Sequence, residues 1–590
     1  PGSVSYANGS VQVDHTATLI PNELAYRISY EVKGGDTFYK KSGVKDDRQD
    51  IFAAFTYKPR QNLTLDFNAQ YLWQNTPQVL GVDRPSQELI DHDIYYTGTP
   101  GGTSAYPGVI VSTGKVKLAP EQVLFSRGDF SNANIVHAQL IATLTVSPTL
   151  TLINRTLDEY VNRRRYQAIE YIEYVEQNTF ENRTEAHLNF SGDRTQTGIG
   201  GFTVRYSEVK AFENYYNEIY QNYDITDGTY SYNHLQRYPD SYYPGRVGPG
   251  GWQFFGSADG IPETTHSKLW DPAFFYQHDL QITDRLSVLA GVRGDAFYAD
   301  VSDPFPAPGT TPWHDRTHAL VGSWNTSLTY HPIKSISLYA TYNRVGGING
   351  DVVGGGIVLR GSDGKIDDYD FKNRSDLCEV GAKASLLENQ LFTGLAAFEQ
   401  TRMKSKRGGG HDDIRVRGIE WETVYQPTTR FNATANLTWQ EGHYVNSSPY
   451  ELGGRSIYDA YAVGQGPGGH GTGLGSGDQA PSGNYFIPGM SRVYTTASAS
   501  YRLDNGFGAS ANATWQGRQH GNLDDQFHLP SQYILNASLF YRQTHWEADI
   551  DFLNVTDRVL WTHTGDAYAD NSLIFREQPF RMEGYVKFKF

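Results

Sequence analysis

Two short stretches limit the folds open to this chain. In "FNATANLTW", Phe431, Ala433, Ala435, Leu437 and Trp439 fall on one side, and Asn432, Thr434, Asn436 and Thr438 on the other. In "FGASANATW", Phe507, Ala509, Ala511, Ala513 and Trp515 oppose Gly508, Ser510, Asn512 and Thr514. The same alternation runs through "LTLDFNAQYLW" (Leu63–Trp73) and "WEADIDF" (Trp546–Phe552). A period of 2 belongs to strands, because successive side chains leave opposite faces; a helix repeats every 3.6 residues. The apolar side is small or aliphatic in the middle and aromatic at one or both ends. A strand crossing a bilayer has that profile, with rings at the interfaces. A soluble β-sandwich or propeller also alternates, with a core face and a solvent face.

The connections separate the two readings. Tight turns are predicted near Pro21–Asn22, Lys58–Pro59–Arg60, Ser147–Pro148, Gly192–Asp193, His331–Pro332, Gln426–Pro427, Asp504–Asn505 and Gln543–Thr544. Between them lie long segments: Gly34–Asp46, Gln74 to about Phe130, Phe212 to about His266, Pro304–His314, Gly346–Asp368, Asn446–Pro488 and Thr562–Ile574. In an antiparallel meander, alternate connections lie at opposite ends. All the long ones therefore gather at one end, as in outer-membrane barrels with short periplasmic turns and long extracellular loops. The pattern predicts an all-β fold: a transmembrane antiparallel β-barrel of about 22 strands, counting "GSVSYA" as the first. Barrels of that size are plugged transporters. An even count lets the last strand lie beside the first, so no edge faces lipid.

Composition removes other classes. No apolar run is long enough for a transmembrane helix. A net charge of −15 argues against nucleic acid as a partner. A single cysteine rules out an intrachain disulfide framework and a cysteine-based metal site. No zinc-protease helix, Walker loop, nucleophile elbow or EF-hand loop occurs, so no catalytic residue, cofactor or metal site is assigned.

Several segments resemble the barrel of TonB-dependent outer-membrane receptors, especially the siderophore-receptor branch. They are Leu24–Pro85; "SDLCEVGAKASLLENQLFTGLAAFEQTR" (Ser375–Arg402), with Cys378 where an aromatic is more usual; "RVRGIEWETVYQP" (Arg415–Pro427); "DFLNVTDR" (Asp551–Arg558); and the terminal "GYVKFKF". They occur in the family's order over nearly the whole chain. The resemblance implies uptake of a ferric siderophore or similar scarce chelate across the bacterial outer membrane. It implies a plug folded inside the barrel and TonB acting through that plug. On this reading residues 1–590 are one barrel domain, and the plug is expected to be absent from this chain: separate, cleaved or outside it. Outer-membrane lipid, lipopolysaccharide and the barrel-assembly machinery are the further implied partners. A passive porin-like channel, and a structural or adhesive surface barrel binding a protein, stand as alternatives.

The candidate ligand contacts lie in loops. Between Phe212 and Phe255 the chain carries Tyr215, Tyr216, Tyr220, Tyr223, Tyr230, Tyr232, Tyr238, Tyr242, Tyr243 and Trp252. Aromatics at a barrel mouth can stack on a planar chelate; otherwise they fill a self-packed loop. Trp73 and Arg84 open another long loop, where Arg84 would meet an anionic chelate or form a structural salt bridge. "GQGPGGHGTGLGSGD" (Gly464–Asp478) reads as an outer loop, His411 with Asp412 and Asp413 as a remote metal candidate, and "NRRRY" (Asn162–Tyr166) as a solvated rim. In "RMEGYVKFKF", Val586, Phe588 and Phe590 are expected to face lipid, and Tyr585, Lys587 and Lys589 the lumen. By the resemblance, Tyr585, Phe588 and Phe590 would act as the assembly signal.

Overall fold

A computed structural model describes residues 2–3, 8–39, 43–77, 79, 81–100, 110–125, 129–166, 172–190, 195–214, 224–226, 248–249, 254, 264–306, 309–348, 350, 355–359, 363–366, 373–405, 411–447, 483–522, 525–566 and 572–589. One antiparallel sheet of 23 strands dominates it. One of these, Gly483–Phe486, is a short outer extension on the seventeenth strand, which leaves about 22 around the circumference. In chain order they are β1 (Gly2–Ser3), β2 (Asn8–Ile20), β3 (Leu24–Gly35), β4 (Asp47–Arg60), β5 (Leu63–Asn75), β6 (Phe130–Ser147), β7 (Leu150–Tyr166), β8 (Ile172–Phe190), β9 (Gln196–Asn214), β10 (Thr265–Thr283), β11 (Leu286–Ser302), β12 (His314–Ile333), β13 (Ile336–Gly347), β14 (Asn373–Leu386), β15 (Leu391–Ser405), β16 (His411–Thr428), β17 (Phe431–Ser447), β18 (Val493–Arg502), β19 (Phe507–Gln516), β20 (Gln532–Arg542), β21 (Trp546–Leu553) and β22 (Arg581–Phe588). Each pairs with its chain neighbours, and the seam closes through β1. Gly2 lies opposite both Gly9 of β2 and Gly584 of β22.

The predicted asymmetry of the links holds, with three exceptions at the long-loop end. There 4–7, 167–171 and 406–410 are as short as the turns opposite. The short-turn end also has two turns the sequence reading did not mark, 284–285 and 387–390. In the second, Leu387, Glu388 and Asn389 all take left-handed backbone angles. Prolines at this end sit where the ladder skips. Pro59, Pro332 and Pro427 fall inside register shifts between Tyr57 and Arg60, Tyr330 and Ile333, and Tyr425 and Thr428. Proline has no N–H to donate, so a bulge is where a strand tolerates it.

The two faces follow the alternation. Outward, large apolar side chains stay exposed: Phe274 at 65%, Leu539 at 55% and Val586 at 60%. A closed sheet with such an outer belt is stable only where hydrocarbon, not water, surrounds it. Inward, polar groups bond across the wall. Gln70 Nε2 donates to Asp50 at 2.9 Å, Thr56 Oγ1 to Asp66 at 2.6 Å, and Asn536 Nδ2 to Asn512 Oδ1 at 3.0 Å. Near the seam, Arg542 Nη2 donates to Asp549 Oδ2 at 2.5 Å, and Lys589 pairs with Glu547. Met582, Val586 and Phe588 face outward, as the terminal alternation predicts; Phe590 lies outside the described residues.

Ala511 stands midway between Phe507 and Trp515 on the outer face of β19, and its neighbour Asn512 faces the lumen. Ala511→Arg should cost about 2–4 kcal/mol at the bilayer midplane. Asn512→Arg should cost well under half of that. Reversible denaturation from lipid vesicles measures both; equal costs would contradict the assigned faces.

Candidate functional site

The long-loop end is built, not merely attached. The 76–129 loop contains the only helix among the described residues, α1 (Gln87–His92). Ser86 caps it, its hydroxyl accepting from Leu89 N at 3.1 Å, and Asp93 ends it with φ 62°. A hairpin follows, Ile94–Pro100 against Ile110–Lys117. Two further hairpins rise from other loops: Trp561–Asp566 with Ser572–Arg576, and Gln519–His520 with His528–Leu529.

These pieces share one dry core. Val82, Leu89, Tyr95, Leu124, Ile225, Phe527, Leu529, Trp561, Leu573 and Ile574 are buried together, although they come from four loops. Each fully buried Leu, Ile or Phe contributes about 1.5–3 kcal/mol. Polar bonds fix the orientation. Val82 and Ile574 exchange backbone hydrogen bonds of 2.8 and 3.2 Å. Trp561 Nε1 donates to Ile90 O at 3.2 Å, and Arg576 pairs with Asp93 at 2.5 Å. Gly81 permits the close approach: its φ is +94°, and a Cβ there would stand 2.5 Å from Ile574 O. A second cluster, Phe38, Tyr39, Val44, Val123 and Phe125, ties in the 36–46 loop.

Arg84 lies inside this assembly and is fully buried. Its guanidinium donates to Tyr96 O at 2.9 Å and Gly98 O at 3.0 Å, and sits 4.0 Å from Asp83 and 3.9 Å from Asp224. The geometry is that of a structural salt bridge, which corrects the ligand-contact reading of Arg84. Trp73 shares the outward face of β5 with the exposed Phe67 and Tyr71, in an unbroken register with β6. It therefore belongs to the interfacial ring, not the vestibule. That correction follows from strand parity, which the sequence already contained.

Tyr215, Tyr216, Tyr220, Tyr230, Tyr242, Tyr243 and Trp252 lie outside the described residues. Two anchors of their loop are described. Ile225 enters the shared core; its N–H donates to Tyr95 Oη at 3.2 Å and its carbonyl accepts from Gln122 Nε2 at 2.9 Å. Phe254 is fully buried against Tyr166 and Ile172, 5.6 Å from the Phe212 ring. The aromatic-rich spans thus begin and end on fixed points.

The core also holds an unbalanced charge. Asp83 and Asp224 flank one guanidinium. Burial raises the Asp83 carboxyl to about 7; Arg84 and the Tyr95 hydroxyl, which donates to it at 2.8 Å, oppose the rise, and Asp224 adds to it. The folded loop therefore holds this proton more tightly than the unfolded chain. The associated stability is complete below about pH 4 and is lost as pH rises through about 7. Protection factors for amide exchange over 81–98 and 572–576, taken against the base-catalysed intrinsic rate, should fall across that window. Asp83→Asn should flatten the dependence; the same slope in the variant would remove Asp83 as its source.

A model of the TonB dependent receptor-like beta-barrel family matches residues 5–556. No curated protein matches the chain. Among solved structures, the closed form of the ferric-catecholate import receptor Fiu from K12 E. coli aligns with a TM-score of 0.69 at 13% identity, covering 99% of this chain and 81% of that one. The siderophore receptor PiuA from Acinetobacter baumannii gives 0.69 at 12%, covering 99% and 80%. The unliganded ferric citrate transporter FecA gives 0.66 at 12%, covering 99% and 76%. At these identities the likeness is one of fold.

Proposed function

This chain belongs to the TonB-dependent receptor-like β-barrel family of the bacterial outer membrane, and from that premise we propose that it takes up a ferric siderophore or a similar scarce chelate by TonB-powered transport. The observation that carries the reading is the anchored aromatic loop. Ile225 and Phe254 hold its ends in two dry clusters, and the tyrosines between and beside them supply flat faces for a chelate. A passive pore needs no such investment in its outer loops. Siderophore-receptor relatives of the same fold point to the same cargo class.

The lumen wall suits a polar occupant. Arg430, Arg502, Arg542, Asp549 and Asp551 line a recess toward the short-turn, periplasmic end. A plug domain, on this polypeptide or another, would meet the wall there and pass TonB's pull to the cargo. Lipopolysaccharide is proposed to surround the outer rim. Tyr585, Phe588 and Phe590 are proposed to serve the barrel-assembly machinery.

Replacing Tyr230, Tyr242 and Tyr243 together with Ala removes three stacking surfaces of about 0.5–1.5 kcal/mol each. Chelate affinity should fall roughly 10- to 1000-fold, with the barrel's heat-resistant gel mobility unchanged. Fluorescence titration with a panel of ferric chelates reads the first quantity. Binding of a chelate unaltered in the variant would exclude these rings. A steady, large conductance of the full receptor in planar bilayers would favour the passive channel instead.

A further inference from the structure

We propose that the hairpin Gln519–Leu529 carries a binding site for a borderline divalent first-row cation, zinc in the first instance, formed by His520, Asp525 and His528. Their ligand atoms all lie within 4.8 Å of one another. His520 Nδ1 is 2.6 Å from Asp525 Oδ1, and His528 Nε2 is 2.5 Å from the same oxygen. The hairpin register sets this up: His520 and His528 are direct cross-strand partners, so their rings leave the same face. Asp525, with φ 57°, turns back over them from the tip.

Each ligand is held from outside the triad. The Gln87 side chain of α1 clamps the His528 backbone, accepting from its N–H at 3.1 Å and donating to its carbonyl at 3.4 Å. On either side of His528, Phe527 and Leu529 are fully buried in the loop core. The His520 ring stacks on Phe486 with centroids 4.4 Å apart and planes 4° from parallel. At the tip, Asn522 Oδ1 accepts from Gln526 N at 2.9 Å, closing the turn that carries Asp525.

The donor set selects the ion. Two imidazole nitrogens and one carboxylate oxygen match zinc sites that keep an open position for water or an anion, and they disfavour magnesium and calcium, which want oxygen. In such a site neighbouring ligand atoms stand roughly 3.3 Å apart, given metal bonds of about 2.0–2.1 Å. The two nitrogen–oxygen contacts are shorter than this, and all three ligand atoms lie within 4.8 Å of one another, so an ion would make the carboxylate recede and the imidazoles adjust around it. Asp525 is half exposed and can do so. His528 Nε2 is itself buried and faces the Asp525 oxygen at 2.5 Å. A cation would stand between the two. The site lies in the outer loops and does not depend on the identity of the cargo.

The test uses the full receptor in detergent, stripped with a chelator and titrated with Zn²⁺, with Mg²⁺ as the control. The chain has 17 histidines, so the number of sites lost is the decisive readout. Asp525→Asn and His528→Gln should each weaken one saturable zinc site by at least tenfold and leave any others untouched, with Mg²⁺ inert throughout. Co²⁺ in place of zinc should show the intense visible bands of a four- or five-coordinate centre, lost in both variants. Asp525→Asn alters only a half-exposed tip residue, so it reports even if His528→Gln fails to fold. Zinc binding unchanged in Asp525→Asn, or a pale octahedral cobalt spectrum, would overturn the assignment.

Discussion

Everything in this molecule rests on completing the backbone hydrogen bonds of a sheet surrounded by lipid. No water reaches a hydrocarbon-facing strand, so an unpaired N–H or carbonyl costs several kcal/mol. Two residues finish the circuit: Gly2 and Ser3 pair with β2 on one side and β22 on the other. Without them two long edges would face each other unjoined. Closure in turn fixes parity. Once each strand has a lumen face and a lipid face, every residue's environment follows from counting by twos. Three prolines near one rim sit in bulges, where a missing donor is tolerated, and a fourth, Pro272, interrupts the β10–β11 ladder in mid-wall without changing its register.

The two ends of the ring have different kinds of order. At the short-turn end the ring dictates geometry, and the turns have little freedom. At the other end the ring only sets where loops leave. Order there comes from a second, dry core assembled from segments hundreds of residues apart, such as Val82 with Ile574 and Trp561 with Ile90. That core behaves like a small soluble domain seated on a membrane protein. It has a capped helix, hairpins and buried charges.

This division explains what could be read from the sequence. The barrel, its closing strand, the lipid and lumen faces and most turns were legible, because a period of 2 repeated along the chain leaves few alternatives. The turn at 387–390 was missed because its left-handed residues are Leu387, Glu388 and Asn389 rather than glycine. Trp73 was misassigned by proximity to a loop when its parity already placed it outward. Arg84 was not decidable from sequence: the carbonyls of Tyr96 and Gly98 that receive it are brought there by a hairpin. The triad of His520, Asp525 and His528 was equally hidden, because the sequence contains local His–Asp clusters, such as His411 beside Asp412, that catch the eye first.

Pinning the aromatic loop at Ile225 and Phe254 raises the question of what the anchors contribute. Entropy alone gives a small answer. Loop closure cost grows with the logarithm of length, so halving a span saves only about 0.6 kcal/mol. Ordering the long side chains of a loop on ligand capture costs more, about 0.5–1.5 kcal/mol for each one immobilised. Shortening the spans is therefore not the main effect. What the anchors supply is a fixed place in the loop core for Ile225 and Phe254 themselves. Arg84 serves the same end. Its buried guanidinium fixes the hairpin that receives Asp224, next to Ile225, and holds down part of the rise that burial imposes on the Asp83 carboxyl.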